Sequence, residues 1–109
     1  MKIEDIYKKL KTLGLPVAYR CFKDTVAVPY IVYYIAEENI YGADNKNLIC
    51  ERTARIEFYC EIKDYCLEKQ IENLFSEFEL SKSEIYISDE NLIETVYEFS
   101  HTFKIQEEL

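Results

Sequence analysis

Tryptophan is missing from this chain, and glycine and proline occur only twice each. So few turn and breaker residues argue against a disordered or linker-rich build. Neither phosphate cradle is present: two glycines are too few for Gly-x-Gly-x-x-Gly, and Gly14 and Gly42 are followed by Leu15 and Ala43, not by the Lys of a Gly-Lys-Ser/Thr loop. Histidine is represented by His101 alone. It falls on the apolar side of the last strand pattern, where a packed structural imidazole is the expected reading over a base or a metal ligand. The four cysteines, Cys21, Cys50, Cys60 and Cys66, contain no Cys-x-x-Cys pair, which argues against a zinc site. No apolar run approaches the ~20 residues of a membrane span. Met1 opens a charged helical pattern with no signal core behind it, so the expectation is an intracellular protein with reduced thiols. No nucleophile constellation is visible. The paired carboxylates Glu37–Glu38, Asp89–Glu90 and Glu107–Glu108 fall in expected turns or the tail, where solvation accounts for them. The expectation is therefore a chain that is no enzyme, holds no metal or cofactor, and contacts no membrane.

What is present points to a packed domain. With 109 residues and 49% hydrophobic content, residues 1–109 fit one domain able to bury a core without staples. Ten of its aromatics are tyrosines, which suit half-buried sheet positions and protein interfaces because an apolar body carries a hydrogen-bonding tip. Net charge is −8, unevenly spread: residues 1–60 hold nine Lys and Arg against eight Asp and Glu, residues 61–109 four against thirteen. Such a surface repels phosphate, so direct nucleic-acid binding is not expected. It serves either solubility or mimicry of phosphates toward a basic partner.

In chain order, Ile3, Ile6, Tyr7, Leu10 and Leu13 make one helical stripe over residues 2–13. Gly14 stands at the left-handed capping position, and Pro16 blocks continuation. Residues 17–22 read as a short first strand and 23–28 as a connector. Pro29 opens a strand, Tyr30–Ala36, that is apolar on both faces and so covered twice. The second cover is either another subunit or the chain's own core. Glu37–Leu48, with Gly42, Asp44, Asn45 and Asn47, reads as a long loop or as an extended β-arm. Cys50–Ile62 alternates at period 2, with Ala54, Ile56 and Phe58 on the core face. Asp64 is the N-cap of a second helix over 65–79, whose stripe is Leu67, Ile71, Leu74, Phe75 and Phe78. Glu68 and Glu72 fall on the side expected to face water, where they repel mildly. Ser81–Ser83 reads as a turn, Glu84–Ser88 as a short strand, Asp89–Asn91 as a turn, and 92–105 as a last strand before a frayed tail. The order is α-β-β-β-α-β-β. Short connections favour an α+β fold: an antiparallel sheet of about five strands with both helices on one face.

These segments resemble the small tail-completion, or head–tail joining, proteins of long-tailed phages and prophages. The resemblance rests on Leu15-Pro16 with Tyr19 and Phe22 after the first helix, then Pro29-Tyr30-Ile31-Val32-Tyr33-Tyr34 and Tyr41-Gly42-Ala43-Asp44-Asn45. Glu57-Phe58-Tyr59, Lys63-Asp64 opening the second helix, Ile85-Tyr86-Ile87 and Glu94-Thr95-Val96-Tyr97-Glu98-Phe99 complete it across nearly the whole chain. It implies a virion structural protein that joins or terminates the tail through protein–protein contacts and offers no catalytic residues. It also implies a ring of copies, commonly a hexamer, bound to tail-tube and head-connector proteins, made in the host cytoplasm and placed at the head–tail junction. On this resemblance Tyr33, Ile35, Tyr41, Asp44 and Asn45 are the expected interface residues. The alternative from charge is an acidic inhibitor that mimics nucleic acid.

Overall fold

A computed structural model describes residues 2–42 and 49–104, with side chains up to residue 102. Two helices and five strands follow the expected order: α1 (Ile3–Lys11), β1 (Val17–Tyr19), β2 (Tyr30–Tyr41), β3 (Ile49–Cys60), α2 (Tyr65–Leu74), β4 (Ser81–Ile87) and β5 (Leu92–Lys104). The strands form one sheet in the order β1-β2-β3-β5-β4.

Helix α1 ends as its sequence demands. Gly14 adopts φ +78° and its N–H reaches the Lys11 carbonyl at 3.2 Å, closing the turn before Pro16. At the start of α2, Asp64 Oδ1 accepts from the Leu67 N–H at 3.0 Å. Both helices lie on one face of the sheet. Ile6 and Leu10 of α1, with Ile71 of α2 and Phe75 after it, enclose a core built on Ile31, Ile56, Phe58 and Phe99. Phe75 and Phe78 both stack on Phe99, the latter at 4.4 Å between centroids.

The second helix ends at Leu74, short of the expected 79, with residues 75–77 in a turn, and β1 ends at Tyr19, short of the expected 22. Four further features differ from the sequence reading, each for a physical reason. First, β1 runs parallel to β2, while the other neighbouring pairs are antiparallel. Arg20, at φ 69°, turns the chain out of β1 after Tyr19. Residues 20–29 then act as a crossover, which parallel neighbours require. Second, the segment after Ala36 is no simple loop. Strand β2 continues to Tyr41 against Ile49 of β3, past a register shift between Ile35 and Glu37. The β-arm reading therefore holds for the described residues, while 43–48 lie outside them. Third, Ser81–Ser83 joins β4 instead of turning. Its Lys82 is drawn to two carboxylates of α2, at 2.9 Å from Glu68 Oε1 and 2.7 Å from Glu72 Oε2. Fourth, Glu68 does not face water: it is 1% exposed. Lys63 at 2.9 Å and Lys82 neutralise it, and Lys82 also offsets the repulsion between Glu68 and Glu72.

Candidate functional site

Away from the helices the sheet carries a second face, set by the outward alternation of β2, β3 and β5. Tyr30, Val32 and Tyr34 of β2 lie there, opposite Tyr59, Glu57 and Arg55 of β3. Burying Glu57 and Glu94 on this face requires partners. Tyr59 supplies its hydroxyl, 2.9 Å from Glu57 Oε1 and 2.7 Å from Glu94 Oε2. Arg55 Nε donates to Glu57 Oε2 at 2.7 Å, and the Tyr34 hydroxyl donates to the same oxygen at 3.2 Å. Burial, with the hydrogen bonds to Glu94 and Glu57, holds the Tyr59 phenol far above its usual pKa. A phenol hydroxyl gripped between two carboxylates is a cross-strand brace. Its chemistry is rigidity.

The crossover 20–29 folds over one end of this face and encloses a cleft of about 490 Å³. Tyr30, Val32, Tyr59 and Leu92 form its floor, and Arg20, Phe22 and Val26 its overhang. Phe22 meets Tyr30 edge-on at 5.4 Å, and Tyr30 stacks on Tyr59 at 4.9 Å. The Arg20 guanidinium sits 5.0 Å over the Tyr34 ring, a cation–π contact that holds the charge at the rim. The doubly apolar pattern of Tyr30–Ala36 thus has part of its second cover in the chain itself.

At the opposite end of the long strands the sheet narrows to an arm: β2 beyond Ile35, β3 before Ala54, and β5 beyond Phe99. Arg52 Nε pairs with Glu38 at 2.6 Å, and Thr53 and Ser100 share a hydrogen bond at 3.0 Å across the arm. Strand β1 covers β2 only as far as Tyr33, so the outer edge of β2 along the arm has no strand beside it among the described residues. Near the arm's end Ile40 is 61%, Tyr41 55% and Ile49 38% exposed. An open edge with exposed apolar side chains is a template for another chain.

The residues singled out from sequence scatter across this layout. Tyr33 is 7% exposed and faces the helices, tilted against Tyr7 and edge-on to Tyr19. Ile35 packs partly buried against the same core. Tyr41 stands exposed at the arm's end, and Asp44 and Asn45 lie outside the described residues. Where both faces of a strand are apolar, period 2 does not say which one meets the helices, so Tyr33 and Ile35 are expected outward where Tyr30 and Tyr34 stand. Ile40 was hidden by its neighbours Glu37, Glu38 and Asn39, which read as a loop.

His101 lies edge-on to Phe78 at 5.1 Å. Cys21, Cys50, Cys60 and Cys66 are all thiols. Among the described residues no group of three or more His, Cys, Asp or Glu is placed to hold a metal, and no helix is long and apolar enough to cross a membrane.

No protein-family model and no curated protein matches the chain. Among solved structures, its fold is similar to that of a chain in the virion of a native gene transfer agent particle, with a TM-score of 0.60. The match covers 91% of each chain at 11% identity, which is a likeness of fold.

Proposed function

We propose that the protein is a structural component of a phage-like virion that joins or terminates the tail at the head–tail junction by protein–protein contacts. The observation that carries this reading is the arm: an open β edge ending in exposed Ile40, Tyr41 and Ile49. Its support is that a fold of this shape also occurs inside a virion particle. In this role the chain assembles with copies of itself in a ring, hexameric by the resemblance of its segments, and meets tail-tube and head-connector proteins. Assembly begins in the host cytoplasm and ends in the virion. Tyr41, Ile40 and Ile49, with Asp44 and Asn45 between them in sequence, are the contact residues on this reading.

Light scattering after size exclusion, with pull-downs against tail-tube and head-connector proteins of a long-tailed phage, tests the role. Self-association or capture of either partner is expected. A strict monomer that binds neither contradicts it. The acidic-mimic alternative finds no support at Glu57, Glu68, Glu72, Glu84 and Glu98, which are ion-paired with Arg55, Lys63 and Lys82.

A further inference from the structure

The crossover cleft is acidic as well as aromatic, and its charges are not balanced from within. Asp24 and Glu90 both line it and stand exposed to solvent. Neither forms an ion pair among the described residues. Beside the floor, Glu94 lies across the ladder from Tyr59 and is only 8% exposed. Its hydrogen bond comes from the Tyr59 hydroxyl at 2.7 Å, and a neutral phenol does not cancel a charge. Glu57, by contrast, is met by Arg55 at 2.7 Å. A carboxylate buried without a counter-charge is destabilising. Arg20 is the one cation among the described lining residues, and its guanidinium is held over the ring of Tyr34, which is not part of the lining. Three carboxylates (Asp24, Glu90, Glu94) against one guanidinium leave −3 + 1 = −2. That field reaches the floor: the Tyr30 phenol is raised first by burial, then by the charges of Glu90, Glu94 and Glu57. We propose that this cleft receives an arginine side chain presented by a partner protein.

An aromatic pocket in a negative field attracts a cation twice, through the rings and through the carboxylates. Phe22, Tyr30 and Tyr59 supply the rings, edge-on and stacked. A guanidinium suits them better than an ammonium, because its plane stacks on aromatic surfaces and sheds water more easily. Its five donors also serve more than one carboxylate at a time. Val26, Val28 and Leu92 give the methylene stem an apolar wall. The cleft's volume, about 490 Å³, falls within the ~300–1,000 Å³ of sites that enclose a small ligand, so it takes one side chain with its immediate neighbours and not a folded surface. The group comes from a different protein. This chain has three arginines, and each is engaged in its own subunit: Arg20 over Tyr34, Arg52 with Glu38, and Arg55 with Glu57 and Glu98. A tail-tube or head-connector protein is then the source, and for that source alone the inference rests on the joining role.

The site is testable on the full chain by itself. The probes are the capped tripeptide Leu-Arg-Leu and its counterparts with Gln or Glu in the middle, followed by amide shifts in proton–nitrogen correlation spectra. The arginine peptide should move Phe22, Tyr30 and Leu92 and bind roughly tenfold tighter than the glutamine peptide, with an affinity that falls on adding salt. Asp24→Asn with Glu90→Gln, both at exposed positions, should remove that preference and leave the melting temperature unchanged. Arg20→Gln carries the opposite sign: without the rim cation the arginine peptide should bind more tightly. Equal binding of the glutamine peptide makes the cleft merely apolar and overturns the proposal. A preference for the glutamate peptide that Arg20→Gln abolishes makes it an anion site and overturns it too. So do shifts confined to α2 and β4, or no binding at all. A chain that takes up the arginine peptide yet captures no tail-tube or connector protein keeps the site and loses the joining role. One that captures either partner and ignores the peptide keeps the role and loses the site.

Discussion

At Glu68 two opposing effects meet. Burial pushes the carboxyl pKa up, but Lys63 and Lys82 together outweigh it and hold the group below its ordinary range. Lys63 is itself raised by Glu84 and Glu68. Replacing both lysines, Lys63→Met with Lys82→Met, leaves a carboxylate with 1% exposure and no counter-charge. Urea unfolding should show a loss of about 3–5 kcal/mol, and adding Glu68→Met should recover most of it. The pH dependence follows from the same geometry. Glu68 and Glu72 both titrate lower in the folded protein, Glu72 chiefly through its bond to Lys82. Their stabilisation is thus complete at neutral pH and is lost as the pH falls from about 4.3, the unfolded glutamate value, through their folded values. Glu68→Gln should flatten that acid limb in a series of melting temperatures; an equally steep fall would refute the assignment. None of this was readable from helical periodicity, which sets Glu68 beside the apolar stripe and knows nothing of lysines on other elements.

The elements themselves were more legible. Their order, the Asp64 cap, the Gly14 stop and the core face of β3 all follow from local chemistry, because period and capping are properties of neighbours in the chain. Gly14 is open to a direct test. No atom lies within 4 Å of where a Cβ would stand, so Gly14→Ala meets only backbone strain at φ +78°. It should cost about 1–2 kcal/mol in denaturant titration. Phe58, fully buried near the end of β3, should cost about 3–5 kcal/mol on truncation to Ala. Less legible were strand direction and strand length. A three-residue strand looks the same whether it runs parallel or antiparallel, so the crossover, and with it the cleft, was not foreseen. Glu37, Glu38 and Asn39 have poor strand propensity, yet the ladder to Thr53, Arg52 and Glu51 and the Arg52–Glu38 ion pair hold them extended.

For the molecule as a whole, charge sets how copies meet. Copies with a net charge of −8 repel one another, and salt screens that repulsion. Raising salt from 0.1 M to 1 M shortens the screening length from about 10 Å to about 3 Å. The mass seen by light scattering should therefore rise with salt; a mass that falls would show ion pairs dominating the contact. The arm bears on the outcome too. Strand β5 accompanies β2 and β3 out to Ile49, opposite Lys104. A two-stranded ribbon would swing and coil, whereas this three-stranded plank behaves as a cantilever clamped in the body. Whatever grips its free end is held at a fixed bearing to the two helices.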